Sequence, residues 1–348
     1  MITPKRRAWA WILPLLLLAA GPITPAHADE KVVPKVGKWY PTAETGLNLT
    51  ESSYSDNWNG GDKGSVVWTW IFNGTLKNQL SPKVNWDNQL KLAYGQTHQQ
   101  VVNDEGRRVW AKPEKSTDLI DLETVFRFTL GGWLDPYVSG RFQSLFEDAS
   151  DPLGRTLSFN PLKFTESAGI ARQFIDEENR TLLSRLGLAL RESSRRLFVD
   201  ETPNSPTRTV TGTDGGLEWV TDYKTNILQD RVTWTAQLIL YKPLFYSGHD
   251  ELKDQTAAQL RAYGLDPDIA KYTTTLDMDW ENIFTTQITK IISVNLYVRW
   301  VYDKYDNTVL PEENTAGELT NVDAIRGAVR KAGQFKQTLA LGITYRFP

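Results

Sequence analysis

Residues 217–228 read LEWVTDYKTNIL, with Leu217, Trp219, Thr221, Tyr223, Thr225 and Ile227 on odd positions and Glu218, Asp222, Lys224 and Asn226 on even ones. A helix, turning about 100° per residue, would mix the two sets, whereas a strand puts them on opposite faces. The same split recurs along the chain. Val84, Trp86, Leu90, Leu92 and Tyr94 alternate with Asn85, Asp87, Gln89 and Lys91; Leu182, Leu186, Leu188 and Leu190 oppose Arg185, Gly187, Ala189 and Arg191. Tyr272, Leu276, Met278 and Trp280 oppose Thr273, Thr275, Asp277, Asp279 and Glu281, and Ile292 to Trp300 repeats the pattern against Ser293, Asn295, Tyr297 and Arg299.

Counting such segments predicts twelve strands, near 43–54, 64–78, 83–97, 116–130, 134–147, 161–175, 180–198, 213–228, 231–246, 270–284, 288–303 and 334–347. The joins alternate tight and long throughout. Tight ones fall at Leu80-Ser81-Pro82, Gly131-Gly132-Trp133, Asp176 to Asn179, Gln229-Asp230 and Thr285 to Gln287; the others run through loops such as His98 to Lys115, Ser247 to Ile269 and Lys304 to Gly333. That asymmetry is expected of an all-β, up-and-down antiparallel transmembrane barrel with short periplasmic turns and long external loops. Two long loops carry helical patterns, at 250–263 and 321–332, read either as packing over the loops or as a lid on the barrel mouth.

The start of the chain predicts export. Lys5-Arg6-Arg7, the apolar run Ala8 to Ala20 and Ala26-His27-Ala28 form the three parts of a secretory signal peptide over residues 1–28. A short N-terminal segment, 29–41, and a barrel domain, 42–348, follow, which places the protein in the outer membrane. No later run approaches the length of an apolar transmembrane helix, and mean hydropathy is −0.41, so any spanning must use strands. Cysteine is absent, which excludes disulfides, cysteine catalysis and zinc ribbons. A formal net charge of −3 gives no electrostatic case for nucleic acid.

What decides between a soluble sandwich and a membrane barrel is which face carries the charge. Arg, Lys, Asp and Glu occupy mid-strand positions on one parity; Trp, Tyr and Leu occupy the other, as an interfacial aromatic belt requires. The last strand ends Gly342-Ile343-Thr344-Tyr345-Arg346-Phe347-Pro348, and resembles the C-terminal signal of outer-membrane barrels, with Gly342, Tyr345 and Phe347 in the positions the barrel-assembly machinery reads. Pro348 departs from that pattern by following the terminal Phe.

Further stretches carry a second likeness. Trp58-Asn59-Gly60-Gly61, Trp86 to Gly95, Lys115 to Leu122, Val138 to Phe146 and Val298 to Asp303 resemble a bacterial family, the domain of unknown function 3078. The resemblance implies an outer-membrane barrel and transfers no activity and no functional residue.

Catalytic chemistry has few parts to work with. His98 and His249 are the histidines left once His27 departs with the signal, and both fall on external loops. A lipid-hydrolysing barrel would need a serine with a histidine base near one of them, and Thr97-His98-Gln99 and Ser247-Gly248-His249 supply only fragments. Asp148 with Asp151, and Asp303 with Asp306, are chemically able to meet calcium but match no defined loop. We therefore expect no catalytic residues, no metal and no cofactor.

The predicted lumen is the candidate site: Lys91, Arg127, Arg141, Arg185, Arg191, Lys224, Asp277, Asp279, Glu281 and Arg299. Asp87, Asp121, Glu123, Glu218 and Asp222 share that parity. Basic residues concentrate on strands two to seven and acids on eight and ten, so two interiors are open: a narrow pore crossed by a transverse field, or a lumen filled by mutually paired charges. The expected function is a narrow channel for small polar or charged solutes, the alternatives being a lipid-modifying enzyme and a structural or surface-binding barrel with a plugged lumen. Outer-membrane lipid and the barrel-assembly machinery are the expected partners.

Overall fold

The structure, a computed structural model, describes residues 35–52, 63–289 and 291–347. The signal peptide, most of the leader before Trp39, the Trp58-Asn59-Gly60-Gly61 stretch and Pro348 lie outside the described residues. Twelve long strands form one sheet: β1 Trp39–Ser52, β2 Ser65–Ser81, β3 Val84–Val102, β4 Glu114–Phe128, β5 Asp135–Ser144, β6 Leu162–Asp176, β7 Arg180–Phe198, β8 Thr207–Ile227, β9 Val232–Tyr246, β10 Asp277–Gln287, β11 Ile292–Tyr302 and β12 Gln334–Phe347. Each pairs antiparallel with its sequence neighbour, and β1 pairs with β12, so the sheet closes on itself. The fold is thus a transmembrane up-and-down barrel. Closure answers the requirement that every strand facing hydrocarbon find a partner on both edges.

Register fixes which side chains share a face. Lys91 stands opposite Asp121, Glu123 opposite Arg141, Arg191 opposite Asp214 and Glu281 opposite Arg299, so one charged set runs inward around the ring. Leu186, Leu188, Leu190, Leu217, Trp219, Leu339 and Leu341 occupy the other parity and are exposed on the outer wall. Between the two parities the backbone itself is close-packed. The Tyr137 ring lies over Gly187, where a Cβ would come within 2.6 Å of its hydroxyl, and the lumen at that height has no room for a larger residue.

The aromatics gather in two tiers. Trp39 and Phe126 pack against Trp86, each at 5.1 Å, and Tyr223 and Phe284 pack against Trp234 at 5.1 and 5.6 Å, all near the tight-turn end. Trp68 with Tyr94, and the register pair Trp280 and Trp300, make the tier toward the long loops. Trp86 and Tyr94 lie on one strand, and their separation corresponds to roughly 20 Å along the axis of a barrel whose strands tilt by about 40°. Polar residues on the outer wall have a reason: the indole N–H of Trp70 donates to Thr45, that of Trp86 to Thr124 and that of Trp234 to Asn282, at 3.0, 2.9 and 3.1 Å. An indole donor facing lipid would otherwise go unpaired.

Four expectations need correction. The strand predicted over 270–284 begins only at Asp277; Ile269–Tyr272 is a short helix whose Ile269 is fully buried. Ile269 and Tyr272 share a helical face at i and i+3, and that face packs into the loop core, so Tyr272 matched the strand parity by coincidence. The helix predicted over 250–263 is two helices, α1 His249–Lys253 and α2 Ala257–Ala262. Thr256 breaks it, because its hydroxyl accepts from the Gln259 N–H while the Gln259 side chain accepts from the Thr256 N–H, a reciprocal cap that starts a new helix. With α3 Ile269–Tyr272, the fourth helix α4 is Val322–Ala328, shorter than the 321–332 expected. The first strand also begins at Trp39, inside the segment assigned to a leader.

Candidate functional site: the lumen and its external cap

Lys91 and Glu281 sit on strands separated by four others along the shorter way round the ring, yet Lys91 Nζ donates to Glu281 Oε1 at 2.9 Å. This ion pair therefore spans the bore. On either side of it stand two bidentate pairs: Arg141 Nε and Nη2 donate to Asp121 at 2.9 and 2.5 Å, and Arg299 Nε and Nη2 donate to Asp279 at 2.8 and 2.6 Å. Gln143 donates to Asp121, and Tyr297 donates its hydroxyl proton to Glu281 at 3.0 Å, so the carboxylates are held from several strands. The space left among Lys91, Asp121, Arg141, Asp279, Glu281 and Arg299 is a cavity of about 20 Å³, enough for one water molecule.

Other pairs continue the lattice along the bore. Arg185, only 3% exposed, donates to Glu123 at 2.7 Å from a strand three places away and lies 3.6 Å from Asp222. Gln237 donates to Asp222 at 2.7 Å. Toward the long loops, Arg191 joins Asp214 at 2.7 Å and Asp277 at 3.1 Å, and its guanidinium lies 3.5 Å from the Tyr241 ring centroid. Toward the tight turns, Arg127 approaches Asp135 at 4.0 Å, and Lys224 shares the inward face. Of the two interiors anticipated, the second matches these contacts: Arg185 meets Glu123 within the supposedly basic half, so the signs interleave rather than face each other across a field. Sequence reasoning placed the residues by parity but did not pair them, because partners across a bore depend on strand stagger.

Above the bore, the two longest loops form a small core of their own. Tyr246, Leu252, Leu260, Leu265, Ile269, Tyr305, Leu319, Ile325 and Ala328 are buried against one another. The loop after β11 reaches across to β8: Arg208 makes a bidentate pair with Glu312 at 2.7 and 2.8 Å, and Asn307 Nδ2 donates to the Thr273 carbonyl at 3.1 Å. The loop helices thus pack with the loops into one unit at the external end of the barrel, called the cap below. His249 Nδ1 lies 3.1 Å from Thr273 Oγ1 within this cap, whereas His98, expected on a loop, lies near the upper end of β3 with its ring tilted against Trp110 at 4.9 Å, so the two histidines stand on separate elements. Asp148 accepts from Asn160 and Asp151 from Arg155, each serving loop structure.

Asp303, at the base of the cap, has its carboxyl pushed up to about 7 by burial and then by the neighbouring Asp277 and Asp306 carboxylates, against a smaller pull from Arg191 and Lys163. The folded cap thus binds a proton that the unfolded loop releases in the ordinary carboxylate range. Stability from this proton is full at low pH and is lost as pH rises through about 7. Amides of Leu252, Leu260 and Ile325 are expected to lose protection from hydrogen exchange between about pH 6 and about pH 8 relative to an Asp303→Asn variant compared at each pH. Equal protection ratios at both pH values would show that this carboxyl does not govern the cap.

The barrel defines the class as an outer-membrane-type β-barrel with a charged, constricted interior. The chain matches the model of the family described as Protein of unknown function (DUF3078) over residues 49–149, the family its strand motifs resemble. No curated protein matches it. Among solved structures, it is similar in fold to the COG4313 outer membrane channel from Pseudomonas putida F1, at 10% identity and a TM-score of 0.38, covering 93% of this chain and 100% of that one. It is also similar to the translocator domain of the autotransporter NalP from Neisseria meningitidis, at 10% identity, a TM-score of 0.35 and coverage of 89% and 87%. A third similarity is to Pseudomonas aeruginosa OccK7 (OpdD), at 7% identity, a TM-score of 0.25 and coverage of 90% and 100%.

Proposed function

We propose that the protein is an outer-membrane channel of narrow bore for ions and small charged solutes, closed at rest by the Lys91–Glu281 pair. The observation that carries this reading is that, among the described residues, the bore is obstructed by paired charged side chains: the groups that fill it are ones a passing ion can replace as partners. In this reading the cap admits solute from outside, and the Gly342, Tyr345 and Phe347 segment serves insertion by the assembly machinery after export.

Planar-bilayer recording tests it. The full-length protein should show small, fluctuating steps with little preference between cations and anions, because Lys91, Arg141 and Arg299 balance Asp121, Asp279 and Glu281 at the waist. Large steady porin-like steps would contradict a closed resting state. An anchoring barrel with a plugged lumen is the second reading, favoured by the one-water size of the cavity; complete silence, both here and after removal of the Lys91–Glu281 pair, would establish it.

A further inference from the structure

The seam that closes the ring is incomplete. β1 and β12 pair from Ala43 with Phe347 up to Asn48 with Gly342, and there the ladder stops, although both strands continue toward the long loops. Leu49 to Ser52 stay paired with β2, and Gln334 to Leu341 stay paired with β11, so each strand remains ordered on its far side while its seam edge is left without the other. At the last pair, the Asn48 carboxamide lies across Gly342, close enough that any Cβ there would collide with it. The vertex of the opening is therefore a glycine with an amide wedged over it.

On the inner side, Thr50, Lys336 and Thr338 have inward parity, yet all three are exposed; on the outer wall Leu49, Leu339 and Leu341 are as open to lipid as Ile343 in the paired part of the seam. Lys336 stands one residue from Phe335, which pairs with Trp300 in the external aromatic tier, so its ammonium is at headgroup height. Among the described residues it has no carboxylate partner; its Nζ lies 5.9 Å from the Tyr297 ring. Tyr297 is the residue whose hydroxyl donates to Glu281, so the inner side of the gap opens beside the waist.

From this arrangement we infer that the β1–β12 seam is a lateral portal that binds one anionic lipid of the outer leaflet, with its phosphate on Lys336 and its chains along Leu49, Leu339 and Leu341. The order along the strand suits that occupant: the cation lies toward the long loops and the leucines toward the bilayer centre, which is the direction of a lipid in the outer leaflet. Strand edges left unpaired between the height of Lys336 and the vertex at Gly342 are costly unless something covers them, and the ammonium at the upper end stands, among the described residues, without a counter-ion. A phosphate supplies the charge, and its ester and glycerol oxygens can accept from free backbone N–H groups.

The test uses the full chain folded in neutral-detergent micelles and native mass spectrometry with dioleoyl phosphatidic acid as the probe. One phosphatidic acid per barrel is expected to persist, with binding about tenfold weaker in Lys336→Glu, the loss of one charge-assisted contact. Lys253→Glu, at an exposed site on α1, should leave binding unchanged. The chain has no cysteine, so Thr50→Cys with Ala340→Cys places two thiols opposite each other in the register that a zipped seam would adopt. Oxidation of that pair should expel the lipid and reduction restore it. Unchanged binding in Lys336→Glu, equal retention of dioleoyl phosphatidylcholine, or lipid held at wild-type strength in the disulfide-closed barrel would each overturn the portal. The Lys336→Glu comparison decides alone where oxidation leaves the thiols unlinked. None of these readouts depends on ion current, so the portal and the channel reading stand or fall separately.

Discussion

Replacing Arg185 with methionine is expected to lower the stability of the folded barrel by about 3–5 kcal/mol, since removing one member of a buried ionic group leaves the others uncompensated. The methionine keeps the apolar stem but not the charge. Glu123, 2.7 Å away, and Asp222, at 3.6 Å, would then face each other in a lumen that excludes bulk water. Lysine is expected to rescue only part of the loss, because one ammonium cannot reproduce a planar guanidinium shared between two carboxylates. Leu188→Ala is the control: that side chain is 64% exposed on the outer wall and should change stability little. The measurement is the urea midpoint of the folded, heat-modifiable gel band. A midpoint for Arg185→Met equal to that of Leu188→Ala would mean that the lumen is wet enough to solvate the orphaned acids.

The second large effect is on permeation. Lys91→Ala combined with Glu281→Ala removes a pair that spans the waist while preserving its charge balance, and is expected to raise unitary conductance severalfold without creating selectivity. The single variants should diverge in sign. Lys91→Ala leaves Asp121, Asp279 and Glu281 against Arg141 and Arg299, a net negative waist that favours cations; Glu281→Ala leaves the opposite excess and favours anions. Reversal potentials in a salt gradient read this directly. The same sign of shift in both would place the pair outside the conduction path.

The origins of these effects divide by what is local. Parity along a strand is a property of neighbouring residues, so the inward placement of Lys91, Arg141, Arg185, Arg191, Asp279, Glu281 and Arg299 follows from a period of two. Loop asymmetry is likewise local. Which inward residues meet is not: the contact between Lys91 and Glu281 depends on how far each strand is staggered around the closed ring. The helix at Ile269–Tyr272 escaped the period for another reason, since a four-residue turn is too short to display its own, and the parity of Leu276, Met278 and Trp280 extended backward over it. The gap above Asn48 and Gly342 leaves only a faint local trace: Leu49, Phe335, Leu339 and Leu341 keep the outer parity apolar, while Glu51 and Gln337 interrupt it.

Spin labels placed one at a time on β7, in a chain that offers no competing thiol, measure the orientation on which the lumen depends. Labels replacing Leu186, Leu188 and Leu190 should collide readily with oxygen dissolved in the bilayer, and labels replacing Leu183 and Ala189 should be shielded from it. Equal oxygen access at both sets, or access greatest at Leu183 and Ala189, would contradict a barrel with leucines against lipid and charges within.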